Sequence, residues 1–333
     1  MNKLLVDSYG RKSSYMRISV TDRCNLNCTY CAGEGFEFIP HARVLRYEEI
    51  FKLMELATDL GVRKIRFTGG EPFVRKGFVE FLIEAAARFS DLELCVTTNG
   101  TLIGNCVEKI AFAGIKRINI SLDTLNPARF KSITGHDKFD LVLENIDRCL
   151  KAGMTVKVNS VAMKNVNDDE LADFIGLAGS LPLDMRFIEF MPVGLDTGWT
   201  AESIWSAEDI IAQAREFAEL SPCEEEGANS GPARMFSIVG GKGRLGVISP
   251  HSNHFCSTCN RLRISSDGNL RSCLFSDKVY RLRAMFRNPK VSGRAVEKVF
   301  KEALRHKPVG HDLLELMPAV KGVCRTRMAS IGG

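Results

Sequence analysis

Residues 16 to 217 alternate between two patterns, and this alternation restricts the possible folds more than any other feature of the sequence. Short apolar runs are typical of buried strands, and the segments between them carry apolar residues at the three- and four-residue spacing of amphipathic helices. The strand-like runs span residues 16–20, 64–68, 93–98, 117–122, 155–162 and 185–191, and the helix-like segments span residues 47–59, 77–88, 103–113, 139–152 and 168–178. Six such units predict a parallel sheet with helices outside it.

Six units are too few for a closed barrel, which needs eight strands. We therefore predict an α/β fold of the incomplete (βα)6 TIM-type barrel class, with one open side. Residues 221–232 are rich in Glu, Gly and Ser and predict a loop or linker. Beyond them, β-like runs at 234–239, 244–248, 262–265 and 269–274 and a helix-like run at 293–305 predict a C-terminal α+β module that closes the open side. The predicted domains are residues 1–220 and 221–333.

Composition narrows the class of protein. The 333 residues include 45 Lys and Arg against 40 Asp and Glu, and a net charge of +5 gives no reason to expect nucleic acid as a partner. The first twenty residues have no apolar core, and no apolar run approaches the roughly 18 residues of a membrane span. We expect a cytoplasmic protein without a membrane partner. Its 11 cysteines are then better explained by metal ligation and burial than by disulfides, and burial is expected for the scattered Cys95, Cys106, Cys149 and Cys223.

Three cysteines, Cys24, Cys28 and Cys31, lie on one short segment after the first predicted strand. Clustered thiolates select zinc or iron–sulfur clusters. Structural zinc normally has four ligands, and the next Cys or His in the sequence is His41. Three thiolates instead suit a 4Fe-4S cluster that has three irons held by cysteine and one open to a small molecule.

Two glycine-containing motifs end neighbouring predicted strands. Gly69-Gly70-Glu71-Pro72 follows the second strand, and a Thr-Thr-Asn-Gly run at 97–100 closes the third. In parallel α/β folds the chemistry lies at the carboxyl ends of the strands, where the cysteine segment also falls. These motifs therefore predict a site at this edge of the sheet, although glycines that only make turns are the alternative explanation.

A second set of three thiols consists of Cys256, Cys259 and Cys273. The hairpin signal at Asp267-Gly268 predicts that Cys273 folds back toward the Cys-x2-Cys turn. Here zinc competes equally with an iron–sulfur cluster, because His251 or His254 could complete a tetrahedral site.

Further motifs accompany the two cysteine sets along nearly the whole chain. They are Thr-Asp-Arg-Cys at 21–24, Arg-Phe-Thr-Gly-Gly-Glu-Pro at 66–72, Asn-Ile-Ser-Leu-Asp-Thr-Leu at 119–125, Arg-Phe-Ile-Glu-Phe-Met-Pro at 186–192, Cys-Ser-Thr-Cys-Asn-Arg-Leu-Arg at 256–263 and Gly332-Gly333. Together they resemble the GTP 3',8-cyclase family of radical S-adenosylmethionine (SAM) enzymes, which opens molybdenum cofactor biosynthesis. The family usually has Met-Pro after the third cysteine, and Ala32-Gly33 stands here. We expect this change to alter packing and leave activity intact; Cys324 is an extra thiol to which the sequence gives no role.

The resemblance implies SAM and two 4Fe-4S clusters as cofactors, with the second cluster facing a nucleotide. The SAM contacts that it implies are Tyr30, Gly70, Ser121 and Met191. The GTP contacts that it implies are Arg17, Arg66, Thr97, Lys157, Arg186, Arg261 and Arg263. Basic side chains in or beside strands are costly to bury without a partner, and an anion in the cavity would remove that cost. The implied catalytic residues are Arg261, Arg263, Gly332 and Gly333.

The resemblance further implies that a 5'-deoxyadenosyl radical removes hydrogen from ribose C3' of GTP and that C3' then attacks guanine C8, which gives 3',8-cyclo-7,8-dihydro-GTP. An external electron donor, hand-over to the next enzyme of the pathway, and a homodimeric or monomeric state are expected with it. The alternatives are another radical SAM enzyme with an auxiliary cluster that acts on a peptide or a tRNA base, and a zinc-stabilised nucleic-acid-binding protein. Few aromatic residues and the small net charge argue against the latter.

Overall fold

The computed structural model describes residues 4–31, 37–194, 197–223, 231–315 and 324–332. Within these ranges, 12 strands form one sheet in the order β12-β11-β10-β1-β2-β3-β4-β5-β6-β9-β8-β7. The strands are β1 Tyr15–Ser19, β2 Lys64–Thr68, β3 Glu93–Thr98, β4 Arg117–Ser121, β5 Thr155–Ala162, β6 Asp184–Glu189, β7 Leu220–Cys223, β8 Arg234–Ile238, β9 Arg244–Ile248, β10 Arg261–Ile264, β11 Asn269–Arg271 and β12 Tyr280–Arg281.

Strands β1 to β6 form the predicted array, because each pairs in parallel with the next in chain order. The α-helices are α1 Tyr47–Asp59, α2 Phe78–Arg88, α3 Val107–Phe112, α4 Pro127–Thr134, α5 Phe139–Lys151, α6 Leu171–Ser180, α7 Ala207–Phe217, α8 Arg283–Arg287, α9 Gly293–Arg305, α10 Gly310–Glu315 and α11 Met328–Ile331. All five residues of β2 are buried, as expected for a parallel strand covered on both faces. The predicted α/β class and the incomplete barrel are confirmed. No helix in the described part of the chain has the length and apolar character needed to span a membrane.

The C-terminal third of the chain extends both edges of this six-stranded array. On one edge β10 pairs in parallel with β1, with Tyr15 opposite Arg261. On the other edge β9 pairs in parallel with β6, with Asp184 opposite Arg244. Antiparallel pairs then continue outward through β11 and β12 on one side and through β8 and β7 on the other. Residues on both sides of position 220 thus share one sheet, and the division into two domains there stays a prediction.

Local differences from the sequence prediction have physical reasons. The predicted loop at 221–232 begins with the strand Leu220–Cys223, and residues 224–230 lie outside the described part of the chain. Pro222 is compatible with this strand because β7 is at the edge of the sheet. The prediction missed α4, although Asn126 and Pro127 are strong signals for a helix start: the Asn126 side chain accepts hydrogen bonds from two backbone N–H groups of the first turn.

The predicted hairpin is present between β10 and β11. Gly268 has φ of +80° at the turn, a conformation that favours glycine. The antiparallel pairing of Arg263 with Arg271 brings the end of β11 beside the start of β10, as the sequence predicts for Cys273. The strand is shorter than predicted and ends at Arg271. Among the scattered thiols, Cys95, Cys106 and Cys149 are buried, and Cys223 is half-buried on the edge strand.

Candidate functional site

One cavity collects the side chains that the sequence marks as functional. All six cysteines of the two sets line it: Cys24, Cys28, Cys31, Cys256, Cys259 and Cys273. So do the residues expected to contact SAM, which are Tyr30, Gly70, Ser121 and Met191. The residues expected to contact GTP also line it, namely Arg17, Arg66, Thr97, Lys157, Arg186, Arg261 and Arg263. The fold therefore brings together residues as far apart in the sequence as Arg17 and Cys273.

The two cysteine sets lie at opposite ends of the strands. The first set follows the carboxyl end of β1. Cys259 precedes β10, and because Tyr15 pairs with Arg261 in a parallel arrangement, Cys259 lies at the end where β1 begins. The five residues of β1 separate these levels by about 16 Å, at roughly 3.3 Å per residue. The cavity thus runs along the strands from one cysteine set to the other.

Burial shapes the environment of the first set. It raises the pKa of the Cys28 thiol well above its ordinary value, with the Asp123 carboxylate and the other two thiols adding to the effect. It also raises the pKa of Cys31 to about 12, with Cys24 and Asp123 contributing. Buried, mutually close thiols of this kind favour a neutral state unless a cation holds them as thiolates. The donor set therefore fits a bound iron–sulfur cluster.

The neighbours of the first set are rigidly held. Tyr30 donates a hydrogen bond of 2.5 Å to Asp123 Oδ2, and Asp123 also accepts from the Val161 N–H at 2.8 Å. Glu71 is fully buried and accepts hydrogen bonds from Thr98 and from the Asn99 N–H. Through these contacts the loops after β2, β3 and β4 form a fixed frame around the thiols.

Contacts from distant segments hold the second set. Lys307 Nζ donates to the carbonyl oxygens of Cys259 at 2.8 Å and Arg261 at 3.0 Å. Arg11 Nη1 donates to the carbonyl oxygen of Cys256 at 2.7 Å. A Cβ atom at Gly310 would lie 3.2 Å from Cys273 Sγ and 3.4 Å from Cys256 Sγ. The absence of a side chain there leaves space beside two of the thiols, and this cradle fits a bulky cluster on them.

The second set does not have the arrangement of a single zinc site. In the described ranges, no three His, Cys, Asp or Glu side chains are close enough together to hold one metal ion. His254 Nδ1 lies 2.9 Å from the carbonyl oxygen of Pro250, and neither His251 nor His254 lines the cavity. Neither histidine is therefore placed to complete a zinc site with these thiols.

Three arginines lie side by side between the two cysteine sets. Arg263 of β10 is opposite Arg17 of β1, and Arg17 is opposite Arg66 of β2, so all three lie on one level of the sheet. Burial lowers the pKa of Arg263 well below its ordinary value, and the positive charges of Arg17 and Arg261 lower it further. Arg17 Nε is buried and has no hydrogen-bond partner among the described residues. Burial of like charges side by side is unfavourable unless an anionic ligand binds to them.

The same field acts on Tyr15, whose hydroxyl oxygen accepts a hydrogen bond of 2.6 Å from Arg66 Nε. Burial raises the pKa of Tyr15, but the positive charges of Arg66 and Arg17 more than offset burial and lower it to about 7. A phenol made this acidic indicates a strongly positive potential in the middle of the cavity. The sequence analysis did not predict Tyr15 as a site residue, because a tyrosine in a strand cannot be distinguished by sequence from an ordinary core residue.

On the opposite wall, Lys157 and Arg186 share the carboxylate of Asp184, at 3.4 and 3.2 Å. Arg244 Nε also contacts this carboxylate at 2.7 Å. Burial, together with Arg186, lowers the pKa of Lys157 to about 7, although Asp184 acts in the other direction. One carboxylate therefore forms ion pairs with three cations, and the net charge of this wall is positive.

We expect Asp184→Asn to lower the free energy of unfolding by about 3 kcal/mol, because it leaves buried cations without their shared counter-charge. The carboxylate is 6% exposed, so solvent screens it little. Urea unfolding followed by circular dichroism measures the change. The exposed Asp59, at the end of α1, provides the matched control: Asp59→Asn is expected to stay within about 0.5 kcal/mol of the original chain. Equal stability of the two variants would contradict this role of Asp184.

The end of the described chain reaches the arginine row. The carbonyl oxygen of Gly332 accepts a hydrogen bond of 2.7 Å from Arg263 Nη1. A Cβ at Gly332 would lie 2.7 Å from Thr68 Cγ2 and 3.0 Å from Ser19 Cβ, at the ends of β2 and β1. Glycine is therefore required for this close approach. Gly333 and the Ala32-Gly33 pair lie outside the described residues, so the predictions for them are not addressed by the structure.

The cavity also contains residues that the sequence reasoning did not name. Asp123 follows β4 and Glu189 ends β6, so their positions at strand ends were a usable signal, whereas Asn159 lies within β5. Arg11 and Lys307 line the cavity from segments without a motif. Nothing local in the sequence marks those two residues, because only the tertiary fold brings them to the second cysteine set.

Comparison with known proteins agrees with this geometry. The family model described as Radical SAM superfamily matches residues 18–178, and the model described as Molybdenum Cofactor Synthesis C matches residues 183–313. The solved structure of SuiB from Streptococcus suis bound to S-adenosylmethionine has a TM-score of 0.65 and 14% identity. It covers 88% of this chain and 68% of SuiB. At that identity the likeness concerns the fold alone.

Sequence relatives are much more similar. The GTP 3',8-cyclase of Alkaliphilus oremlandii is 42% identical over 310 residues, which cover 92% of this chain and 94% of the relative. The GTP 3',8-cyclase of Petrotoga mobilis is 40% identical over 337 residues, which cover 99% of this chain and all of the relative. With such identity over nearly the full length of both proteins, the chain belongs to the GTP 3',8-cyclase family of radical SAM enzymes.

Proposed function

We propose that the chain converts GTP to (8S)-3',8-cyclo-7,8-dihydroguanosine 5'-triphosphate, the first step of molybdenum cofactor biosynthesis. The observation that carries this proposal is the row of Arg17, Arg66 and Arg263 between two cysteine sets at opposite ends of one cavity. The first set would hold a 4Fe-4S cluster with SAM, and the second a 4Fe-4S cluster that faces the purine. When bound, the first cluster and SAM would supply the radical chemistry that starts the reaction at ribose C3'.

The residues around the first set position SAM. Tyr30, fixed by its hydrogen bond to Asp123, forms a wall of the cavity next to Cys28 and Cys31. Gly70 lets backbone approach the ligand, and Met191 gives an apolar contact for adenine. Ser121 ends β4 and offers a hydroxyl to a carboxylate or ribose. Close confinement matters, because a primary carbon radical attacks any C–H bond within reach.

The cations between the two cysteine sets hold the triphosphate. Arg17, Arg66 and Arg263 present guanidinium groups from three adjacent strands, a spacing that suits several phosphate oxygens at once. Lys157 and Arg186 add positive charge from the opposite wall, and Thr97 adds a hydroxyl. Arg261 lies beside Cys259 of the second set. The family resemblance also assigns catalytic roles to Arg261, Arg263, Gly332 and Gly333.

The direct test uses protein reconstituted anaerobically with iron and sulfide. Iron and acid-labile sulfide are measured first, and zinc without sulfide would contradict both radical SAM hypotheses. Incubation with SAM, a reductant and GTP is then expected to give 5'-deoxyadenosine together with cyclised nucleotide. Cleavage of SAM with a peptide or another nucleotide, and none with GTP, would favour a different radical SAM reaction.

Arg263→Ala tests the triphosphate site. We expect it to weaken GTP binding by about 1.5 to 3 kcal/mol, roughly ten- to hundredfold in Kd, because it removes charged hydrogen bonds from a buried position. Equilibrium dialysis with labelled GTP measures the change. Arg215→Ala, which removes an exposed arginine of α7, is the control for loss of net charge. Equal affinities of the two variants would remove Arg263 from the site.

The finer predictions about partners go with this proposal. An external electron donor, delivery of product to the next enzyme of the pathway, and a homodimer or monomer in the cytoplasm are expected from the family. They stay predictions. Sedimentation of the reconstituted protein would distinguish the two oligomeric states.

A further inference from the structure

The tail, defined as residues 324–332, crosses the cavity wall before it reaches the arginine row. Its first residue, Cys324, is fully buried and pairs in parallel with Val193, just after β6. The Gly194 N–H donates a hydrogen bond of 2.8 Å to the carbonyl oxygen of Cys324. Further along, Met328 lines the cavity, and Gly332 contacts Arg263. The tail thus runs from the segment after β6 to the arginine row.

One carboxylate gathers the start of the tail. Asp277 accepts hydrogen bonds from the Arg325 N–H at 2.8 Å, from the Thr326 N–H at 3.2 Å and from the Thr326 hydroxyl at 2.7 Å. The Cys324 thiol donates to the same carboxylate at 3.2 Å. Three consecutive residues of the tail thus converge on Asp277, which accounts for the thiol to which the sequence gave no role.

A buried cation, Arg271, pairs with Asp277, and the two side chains together form what we call the anchor of the tail. The Arg271 side chain is 2% exposed, and its Nη2 donates to Asp277 Oδ1 at 3.0 Å and to the Thr326 hydroxyl oxygen at 2.7 Å. Its Nη1 lies 3.6 Å from Cys324 Sγ. These side-chain contacts of Arg271 are all to the tail or to Asp277. A guanidinium buried so completely is stable only while these partners remain in place.

The anchor is connected to the catalytic cavity in two ways, through β11 and through the tail. Arg271 ends β11, two residues before the cysteine Cys273 of the second set. Arg271 is opposite Arg263 in the β10–β11 pair, and Arg263 holds Gly332. Burial raises the pKa of Asp277, but the hydrogen bonds from Arg325 and Thr326 more than offset it and lower the pKa to about 2. The carboxylate is thus ionised under all ordinary conditions.

We propose that Asp277 and Arg271 are positioning residues that fix the tail at Cys324–Thr326 and so place Gly332 on Arg263. The importance of that placement for cyclisation rests on the proposed function. Neither Asp277 nor Arg271 lines the cavity, so the pair acts through the tail. The alternative is that the Asp277–Arg271 pair only stabilises the local surface, because the Asp277 side chain is 41% exposed. Exchange in the tail and coupling of the reaction distinguish this alternative from a positioning role.

The experiment compares the full chain with Asp277→Asn and Thr326→Val. Hydrogen exchange followed by mass spectrometry reports opening of the tail without SAM, GTP or turnover. We expect exchange in the peptide covering 324–332 to accelerate about tenfold or more in either variant, while exchange in β3 stays unchanged. Thr326→Val leaves the Arg271–Asp277 pair intact and keeps the test decisive if Asp277→Asn folds poorly. Asp59→Asn is the matched control for loss of a carboxylate.

The second arm measures coupling in reconstituted protein. We expect more 5'-deoxyadenosine to form per cyclised nucleotide in both variants, with KM for SAM unchanged. Unchanged tail exchange would overturn the anchor, and faster exchange with unchanged coupling would overturn its role in positioning. If the original chain gives no cyclised nucleotide, the proposed function fails, and the exchange arm alone decides whether Asp277 holds the tail.

Discussion

The Cys28→Ala chain is expected to form no 5'-deoxyadenosine above background, whereas Cys259→Ala continues to cleave SAM but forms no cyclised nucleotide. We expect this because the two cysteine sets lie at opposite ends of the cavity along β1 and β10, and the proposed function places SAM at the first set and the purine at the second. Loss of one thiolate from the first set leaves two protein ligands for its cluster, too few to keep it loaded. Chromatographic analysis of 5'-deoxyadenosine and the cyclised nucleotide in one reaction measures the two outcomes.

The control for these substitutions is a cysteine outside both sets. Cys149 is fully buried in α5 and packs among apolar side chains, so Cys149→Ala removes a thiol without touching the cavity. It is expected to cleave SAM and cyclise GTP as the original chain does. If Cys28→Ala and Cys259→Ala lose the same activities to the same extent, the two sets do not divide the work between them.

Much of the fold could be predicted because its signals are local. Strand-like runs of four to eight residues and helices with an apolar face give six repeated units, and each unit is present as β1 to β6. The cysteine spacing and the Gly-Gly-Glu-Pro motif were also readable locally, and family membership confirmed the predicted cofactors. These features need no knowledge of the partner segments.

The features that sequence could not give depend on pairing between distant segments. Strands β9 and β10 extend opposite edges of the six-stranded array because they pair with β6 and β1. The apolar pattern of a short strand does not show which strand it pairs with. The same holds for Asp184, which looks like an ordinary charged residue at the start of a strand. Its role appears only when β5 and β9 place cations on either side of it.

Gly70→Ala is expected to weaken SAM binding and to reduce the iron held by the first cysteine set. A Cβ at this position would lie 2.5 Å from the carbonyl oxygen of Arg23 and 2.8 Å from that of Asp22, distances that real Cβ atoms do not adopt. The obstacle is backbone, not a flexible side-chain end, so the segment leading into Cys24 must move. Hydrogen bonds from the Gly70 and Glu71 N–H groups to Thr21 and Arg23 carbonyls tie the two loops together and would be lost with that movement.

Displacement of this segment moves the first cysteine set and the SAM site together. Overpacking of this kind typically costs about 1 to 3 kcal/mol, and here we expect it to weaken SAM binding at least roughly tenfold and to reduce the iron retained by the first set. Equilibrium dialysis with SAM and iron analysis measure the two effects. The control is Gly176→Ala in α6, where a Cβ has nothing within 4 Å and the substitution is expected to stabilise the helix slightly. A Gly70→Ala chain that keeps its iron and binds SAM as tightly as the control would show that the loops after β1 and β2 can separate without cost, and the rigid frame around the first set would have to be abandoned.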